Sequence, residues 1–444
     1  MTLLETVMDA FNKGKKQYED MVAWADLPEF AVWEEYGRPD AREDFRNAVA
    51  LTDNVTYMAH LVKNQGMAGK IQLIYVDPPF FSKGKYQASV RINSELAGKS
   101  DIIKTGAYDD RWGGDISKYI EMLTIRLFFM RDLLTENGCI WVHLDWHVVH
   151  YAKVILDEIL GEDNFVNEII WTYKSGGANK RNFAKKHDTL LFYAKSGSYY
   201  FNALKEKSYN RGYKPYRFKG VEEFEDERGW YTLVNMKDVW NIDMVGRTSS
   251  ERNGYATQKP EKLLERIIEA CSREGDICAD FFAGSGTLGA VCHRLGRRWL
   301  MCDAGSLSAA CQIDRLGALG ADFVLTCADA ADRRKRNGEL KARIDNGEVV
   351  LEDYRITDTG IEEAAFSTDE KGLREIRSYL KRDCLSLIKC WSVDEDYDGK
   401  THRAEKIMTG DLRRCMLEKG AATVSIRGYD LLGNVFSCIV RSEE

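Results

Sequence analysis

The stretch that decides the fold is Ile71-Gln72-Leu73-Ile74-Tyr75-Val76, followed directly by Asp77-Pro78-Pro79-Phe80. The first six residues form a short, mostly apolar run that predicts a buried strand. A pair of prolines cannot continue a hydrogen-bonded ladder, so the chain has to leave the sheet at Asp77. Because open α/β sheets bind ligands at the carboxyl ends of their strands, Asp77 is predicted to face such a site.

Helix and strand patterns alternate along the chain on both sides of a basic segment. They predict a helix from Ser117 to about Asn137, a strand over Cys139–Leu144, a helix from Val148 to Leu160, a helix from Glu261 to Cys271, and strands over Asp276–Asp280 and Arg298–Cys302. This order predicts an α/β fold with a doubly wound, mostly parallel sheet and crossover helices.

The composition indicates an ordered globular protein. Its 444 residues are 44% hydrophobic and 30% charged, with only six prolines, and the length is typical of two or three domains. No apolar run approaches the roughly 18 residues of a membrane span, and the first residues lack the layout of a signal peptide. Eleven cysteines without a C-x-x-C pair favour free thiols in a reducing cytoplasm over disulfides or zinc. We therefore expect a cytoplasmic protein that does not associate with a membrane.

One segment differs in charge from the rest of the chain. Residues 174–219 contain twelve basic and two acidic residues, a balance of +10 within a chain of net charge −7, and aromatic residues are interleaved with them. A solvated surface would also be charged, but the interleaved aromatics favour a nucleic-acid groove. The candidate DNA-binding residues are Lys174, Lys180, Arg181, Lys185, Lys186, Arg211, Lys214 and Arg217.

A glycine motif between a predicted strand and a predicted helix indicates a nucleotide-like ligand. Gly284, Gly286 and Gly289 match G-x-G-x-x-G, and Asp303 follows the next strand. Such glycines let the backbone approach a ligand at a helix N-terminus, and the following acid can bind ribose hydroxyls. NAD, FAD and S-adenosylmethionine all satisfy this pattern, and so does a tight turn without a ligand.

The segment Asp77-Pro78-Pro79-Phe80 indicates a more specific chemistry. The exocyclic amine of a base is a poor nucleophile because its lone pair is delocalised into the ring. The Asp77 carboxylate and the Pro78 carbonyl can accept both amine hydrogens and so expose that lone pair, while Phe80 stacks on a base that has left the duplex. The prolines hold the backbone in this shape. The alternative is a strand-ending turn that is merely rigid.

Three histidines within eight residues, His143, His147 and His150, do not predict a metal site. His143 ends a predicted strand, whereas the other two belong to the following helix, so no single face presents all three. Cysteine or carboxylate clusters with zinc spacing do not accompany them. We expect no metal.

Three ordered motifs together resemble a known family. They are D-P-P-F after an apolar strand, T-Q-K-P at residues 257–260, and D-F-F-A-G-S-G-T at residues 280–287. This set is similar to the amino-methyltransferases of DNA, and its order is that of the permuted β group, which includes modification subunits of type III restriction systems. The resemblance runs from about Asp53 to Asp303.

The resemblance implies a cofactor, a reaction and site residues. The cofactor would be S-adenosylmethionine, and D-P-P rather than S-P-P favours N6 of adenine over N4 of cytosine. The implied catalytic residues are Asp77, Pro78, Pro79 and Phe80. The implied cofactor-binding residues are Asp53, Asn54, Lys259, Asp280, Phe282, Ala283, Gly284, Ser285, Gly286, Thr287 and Asp303. Two departures from the family pattern, at Phe281 and at Ala304-Gly305, concern the ribose and adenine contacts.

These observations predict five regions. They are a helical N-terminal extension (1–50), the catalytic half of a Rossmann-like methyltransferase domain (51–173), a basic target-recognition insert (174–256), the cofactor-binding half (257–330) and a small α+β C-terminal appendage (331–444). The appendage is not expected to help build the sheet, and it is predicted to contain a hairpin with strands over Val424–Ile426 and Val435–Val440. It also contains the basic cluster 333–336.

The predicted partners are double-stranded DNA, a second copy of the chain in a homodimer, and a restriction subunit. Three other functions stay open at this stage. They are methylation of cytosine N4, a DNA-binding regulator that retains a degenerate methyltransferase fold, and an NAD- or FAD-dependent oxidoreductase based on the glycine motif alone. The oxidoreductase hypothesis leaves D-P-P-F, T-Q-K-P and the basic segment unexplained.

Overall fold

The computed structural model describes residues 2–24, 26–38, 45–92, 102–174, 180–246, 248–328, 336–409, 412–421 and 423–442. Its helices are α1 (Leu3–Ala23), α2 (Asn54–Lys63), α3 (Ile116–Leu133), α4 (Val149–Leu160), α5 (Glu261–Cys271), α6 (Thr287–Arg294), α7 (Ser306–Ala318), α8 (Asp358–Ser367) and α9 (Glu370–Arg382). Its strands are β1 (Phe30–Tyr36), β2 (Ala48–Leu51), β3 (Ile71–Val76), β4 (Lys85–Arg91), β5 (Ile102–Asp109), β6 (Leu134–Leu144), β7 (Phe165–Thr172), β8 (His187–Ala194), β9 (Lys205–Tyr209), β10 (Phe224–Asp226), β11 (Gly229–Asn235), β12 (Val239–Asn241), β13 (Ile277–Asp280), β14 (Arg298–Asp303), β15 (Phe323–Ala328), β16 (Gly338–Asp345), β17 (Glu348–Ile356), β18 (Ile388–Asp394), β19 (His402–Ala404), β20 (Ile407–Thr409), β21 (Arg414–Met416), β22 (Thr423–Asp430) and β23 (Val435–Arg441).

A large central sheet organises the molecule. Its strand order is β12-β7-β8-β6-β3-β13-β14-β2-β15-β1-β19, and the six strands from β6 to β15 in this order run parallel to one another. Helices α1 to α4 pack on one face and α5 to α7 on the other, each with its own hydrophobic core. Strand β3 is buried along its whole length, as expected of a parallel strand covered on both faces. The predicted doubly wound α/β fold is confirmed.

The prediction that residues 1–50 form a helical extension is wrong beyond α1. Strand β1 pairs antiparallel with β15 and therefore belongs to the central sheet. The two glutamates in the middle of β1 concealed this strand in the sequence. Glu34 is nevertheless fully buried, because the Tyr429 hydroxyl donates a hydrogen bond to it at 3.0 Å and Arg427 lies 3.4 Å away.

The boundaries of the predicted basic insert, 174–256, also need correction. Strands β8 and β12 lie within these boundaries but are strands of the central sheet. Strands β9, β10 and β11 form a separate three-stranded sheet. The segment was recognised by its charge, and the basic residues flank β8, whose residues from Asp188 onward are buried.

The C-terminal region contributes to the central sheet, contrary to expectation. Strand β19 pairs in parallel with β1 at the edge of that sheet. The other strands form the sheets β16-β17-β21 and β20-β18-β22-β23. The predicted hairpin is confirmed by the antiparallel pairing of β22 with β23. Of the basic cluster 333–336, only Arg336 lies within the described residues.

Among the helices that the structure describes, none combines the length and apolar character needed to cross a membrane.

Candidate active site

Carboxylates from five parallel strands converge at one edge of the central sheet. Asp53, Asp77 and Asp145 follow β2, β3 and β6, while Asp280 and Asp303 end β13 and β14. The carboxyl ends of parallel strands meet at one edge, where α/β folds bind their ligands. A cavity of about 620 Å³ at this edge is lined by all five residues.

This single cavity brings together the two halves of the predicted site. Of the residues predicted from the sequence, its lining contains Asp53, Asn54, Asp77, Pro78, Pro79, Phe80, Lys259, Asp280, Phe282, Ala283, Gly284, Ser285, Thr287 and Asp303. Gly286 does not line it. That residue is the N-cap of α6 with φ of +74°, and a Cβ there would lie 3.0 Å from Cγ of Gln312. Gly286 therefore shapes the turn from behind the cavity.

The glycine turn is held by the carboxylate of Asp303. The backbone N–H of Gly284 donates to Oδ2 of Asp303 at 2.9 Å, and the N–H of Gly305 donates to Oδ1 at 2.8 Å. Gly284 has φ of +47°, in the left-handed region that glycine tolerates best. A Cβ on this residue would approach the Tyr255 ring to 3.2 Å, and Tyr255 also lines the cavity. The backbone can therefore approach a ligand closely at this position.

Asp280 is a buried acid beside this turn. Burial, with a smaller contribution from the carboxylates of Asp77 and Asp303, raises the pKa of Asp280 to about 8. A hydrogen bond from the N–H of Phe282 at 2.9 Å and, to a lesser extent, the charge of Lys259 oppose this shift of the pKa. The group is therefore largely protonated at neutral pH, and a cation placed beside it would favour loss of that proton.

Asp53 and Asn54 are linked to an arginine that sequence reasoning missed. Nε of Arg126 donates to the Asn54 side chain at 2.7 Å, and the guanidinium lies 3.2 Å from Asp53. Asn54 in turn donates to the carbonyl of Phe281 at 2.6 Å. Arg126 lies in the middle of α3 and lines the cavity, and nothing in its local sequence indicates this contact.

Asp77 contacts Lys259, the lysine of the T-Q-K-P motif. The Lys259 ammonium donates to Oδ2 of Asp77 and lies 5.3 Å from the centre of the Phe80 ring. Oδ1 of Asp77 is buried and has no hydrogen-bond partner among the residues that the structure describes. Lys259 was predicted to line the cofactor site, and the structure brings it to the catalytic motif.

A buried histidine completes the surroundings of Asp77. Nδ1 of His143 lies 3.6 Å from Oδ1 of Asp77 and 2.8 Å from the Tyr75 hydroxyl, and Nε2 lies 3.2 Å from Asp188. The Tyr173 hydroxyl donates to Asp188 at 3.0 Å. Burial raises the pKa of Asp188, but the hydrogen bonds of His143 and Tyr173 and the charge of Lys259 outweigh burial and lower that pKa overall.

From the sequence, His143 was not expected to bind a metal, and no contact with Asp77 was predicted for it. Its side chain is fully buried, and its ring packs 5.3 Å from the Trp171 ring. His147, by contrast, pairs with Asp145 at 2.7 Å. His143 and His147 therefore contact different carboxylates, because His143 lies within β6 whereas His147 follows the end of that strand.

The predicted DNA-binding residues lie in two groups. The first group surrounds the ends of β7 and β8, where Lys185 packs 3.3 Å from the centre of the exposed Trp146 ring and Lys174 pairs with Asp243 at 3.3 Å. The second group, Arg211, Lys214 and Arg217, is exposed beside the β9–β11 sheet, and Lys180 and Arg181 are exposed as well. Lys186 is half-buried and donates to the Lys174 carbonyl at 3.2 Å.

A mostly parallel sheet with a glycine turn and an acidic pocket at its carboxyl edge is typical of α/β proteins that bind nucleotide-like ligands. Comparison with known proteins narrows this class. The family N6_N4_Mtase, DNA methylase, matches residues 71–308, a range that contains all three motifs. The chain belongs to this family, and the predicted resemblance to DNA amino-methyltransferases is confirmed. Membership of a DNA methylase family disfavours the hypothesis that the chain is an NAD- or FAD-dependent oxidoreductase.

Individual relatives agree with this assignment. The chain is 30% identical over 239 residues to Type II methyltransferase M2.DpnII of Streptococcus pneumoniae, covering 53% of this chain and 78% of the relative. It is 28% identical over 262 residues to Type II methyltransferase M2.LlaDCHI of Lactococcus lactis subsp. cremoris, covering 58% and 85%. The solved structure of the M1.HpyAVI-SAM complex aligns with 61% of this chain and 98% of that chain, at 17% identity and a TM-score of 0.39, a distant likeness.

Proposed function

We propose that this protein transfers the methyl group of S-adenosylmethionine to N6 of a target adenine at a specific sequence in duplex DNA. The observation that carries the proposal is the shared cavity. It joins the Asp77-Pro78-Pro79-Phe80 segment to the glycine turn at Gly284 and to Asp303. A methyl donor on the turn and an amine at Asp77 would therefore occupy one space.

The chemistry of the cavity fits the cofactor. S-Adenosylmethionine supplies an electrophilic methyl group on a positively charged sulfur, and it also carries an α-ammonium group. The buried acid Asp280 suits such a cation, because pairing would offset its raised pKa. The turn at Gly284 leaves the backbone accessible, and Asp303, Asp53 and Asn54 supply polar groups for the ribose and adenine parts.

The residues of the catalytic motif orient the amine. Asp77 and the Pro78 carbonyl accept its hydrogens, so its lone pair points at the methyl carbon, and Phe80 stacks on the flipped base. Asp77 acts as an acceptor and not as a base before attack, because a carboxylate is far too weak a base to deprotonate an exocyclic amine. As the N–C bond forms, the S–CH₃ bond breaks and S-adenosylhomocysteine leaves, while the Asp77 carboxylate stabilises the positive charge that develops on the nitrogen. The amine loses its proton after the transfer. Positioning the two reactants in line supplies much of the rate. The Lys259 ammonium donates to Oδ2 of Asp77, so this hydrogen bond has to break before the amine can donate to the same oxygen.

The basic residues are assigned to DNA. The group around Lys174, Lys185 and Lys186 lies beside the strands that lead into the cavity, since Asp188 and Tyr173 line it. The second group, on the β9–β11 sheet, presents cations next to the exposed rings of Tyr213, Tyr216 and Phe218. This combination is suited to phosphate contacts and base stacking.

Assembly belongs to the same proposal. The inference of a homodimer rests on the C-terminal region, where the Ile439 side chain of β23 is 60% exposed and offers apolar surface to a second copy. Light scattering should give twice the mass of the chain. A restriction subunit stays a prediction, which co-purification with a nuclease would test.

The test of the catalytic assignment separates binding from transfer. Asp77→Ala should abolish methyl transfer to duplex DNA while S-adenosylhomocysteine still binds, because Asp77 is proposed to face the amine. Asp398→Ala, a change at an exposed acid in the C-terminal region, is the matched control and should methylate normally. Unchanged turnover in Asp77→Ala would remove the assignment.

A further inference from the structure

A second cavity lies next to the catalytic motif and is positively charged. It has a volume of about 540 Å³ and is lined by Lys83, Arg111, Trp112, Gly113 and Gly114. Two of these five residues are cations and none is an acid. Lys83 and Arg111 are both exposed, and the Lys83 ammonium lies 5.9 Å from the centre of the Phe81 ring. A concave surface of this kind attracts anions.

A buried carboxylate holds this cavity in shape. Asp110 is fully buried and accepts hydrogen bonds from the N–H of Phe81 at 2.9 Å and from the N–H and Oγ of Ser82, both at 2.7 Å. The Trp112 indole also donates to Asp110 at 2.9 Å. All four hydrogen bonds to the Asp110 carboxylate come from within the protein. They join the segment that follows Phe80 to the segment 110–112.

The joined segments also have an unusual backbone. Phe81, Lys83 and Trp112 all have positive φ angles, between +50° and +63°. Residues other than glycine rarely adopt this conformation, and it persists where surrounding bonds impose it. Backbone hydrogen bonds from Lys83 to the Asp110 carbonyl and from Asp110 to the Gly84 carbonyl complete the link. The two cations are therefore presented by a preorganised loop pair.

We propose that Lys83 and Arg111 bind a backbone phosphate of the target strand next to the flipped nucleotide. This inference rests on the proposed function and goes beyond the basic segment 174–219. Lys83 follows Phe80 by three residues, so their Cα atoms are at most about 11 Å apart. A base stacked on Phe80 stays attached to its own sugar and phosphates, and one of these phosphates comes within reach of a lysine or arginine side chain.

Such a contact would position the nucleotide as well as add affinity. Phosphate contacts fix the register of a protein on DNA without reading sequence. Because Asp110 bonds both loops, a phosphate held by Arg111 and Lys83 would be fixed relative to Phe80 and Asp77. The site would thus stabilise the extruded state of the target nucleotide.

The experiment measures DNA binding by the full-length double variant Lys83→Gln/Arg111→Gln over a range of salt concentrations. We expect about tenfold weaker binding at low salt and a log–log salt slope reduced by at least about 0.9, the value of one phosphate contact. Arg343→Gln/Arg355→Gln, which neutralises two exposed cations of the C-terminal sheet, is the matched control and should keep the wild-type slope. S-Adenosylhomocysteine binding by each variant verifies folding.

The position of the phosphate is tested with DNA that carries one uncharged methylphosphonate at a time around the target adenine. If the proposal holds, the wild type and the double variant bind the DNA that is modified beside the target adenine with about equal affinity. An equal loss on every DNA, or an unchanged salt slope, would overturn it. Failure of the proposed function is distinguishable, because wild-type protein would then not methylate unmodified DNA at all.

Discussion

The ammonium of Lys259 contacts the carboxylate of Asp77, although 182 positions separate them in the chain. This ion pair joins the T-Q-K-P motif to the D-P-P-F motif. Lys259 also lies 5.3 Å from the centre of the Phe80 ring, in the space proposed for the target base. The lysine therefore neutralises the carboxylate that the substrate amine is proposed to use.

Removing this lysine alone should destabilise the protein. Lys259→Met leaves Asp77, whose side chain is only 16% exposed, without its cation, and breaking such a largely buried pair costs up to about 3 kcal/mol of the free energy of unfolding. In Asp77→Asn/Lys259→Met neither charge is left, so at least half of that loss should be recovered. Urea unfolding of both variants measures the difference. Equal stability of the single and double variants would show that the pair contributes nothing.

Cofactor affinity should depend on pH through Asp280. Burial raises its pKa to about 8, so below that pH the carboxyl group must lose a proton before it can pair with a cation. We expect the affinity for S-adenosylhomocysteine to rise about tenfold per pH unit well below pH 8 and to level off as the pH reaches that value, with release of a proton on binding. Calorimetry in buffers of different ionisation enthalpy measures the proton. An identical pH profile in Asp280→Asn would contradict the assignment.

His143 should matter for transfer and His150 should not. His143 is buried between Asp77 and Asp188, so His143→Gln should displace Asp77 and slow single-turnover methylation by about tenfold or more, since small misplacements of reacting groups are costly. The control is His150→Gln, at an exposed position on α4. If both variants react at the wild-type rate, the histidine does not position Asp77.

The C-terminal region should be required for folding. A chain that ends at residue 330 lacks β19, the edge partner of β1, and it also lacks Arg427 and Tyr429, which contact the Glu34 carboxylate. Losing a strand of the central sheet together with these two partners of a carboxylate is strongly destabilising. We expect loss of the cooperative thermal transition that full-length protein shows by circular dichroism. A truncated chain that unfolds cooperatively and binds S-adenosylhomocysteine would show that the region is dispensable.

Local signals were sufficient for the parts of the site that lie within one strand and its following turn. About a dozen neighbouring residues encode β3 together with Asp77. A similarly short stretch encodes β13 together with the turn at Gly284. Strand β3 has the bounds that its apolar run predicts, and helix α5 has the predicted bounds as well. Proline and glycine mark the points where these elements end.

Contacts between distant strands were beyond the reach of such signals. His143 meets Asp188 because β6 pairs antiparallel with β8, with Leu144 opposite Thr189, and no pattern within either strand specifies that register. Strand β1 was missed because its buried Glu34 is satisfied by residues almost 400 positions away. The three residues of β19 are too few to show a strand periodicity.

Nucleoside analysis of methylated DNA tests the central claim most directly. Duplex DNA is incubated with the purified protein and S-adenosylmethionine, digested to nucleosides and analysed by mass spectrometry, with Asp77→Ala as the parallel sample. The account predicts N6-methyldeoxyadenosine from the wild-type protein and none from the variant. N4-methyldeoxycytidine as the product, or no methylated nucleoside from protein that binds S-adenosylhomocysteine, would contradict it.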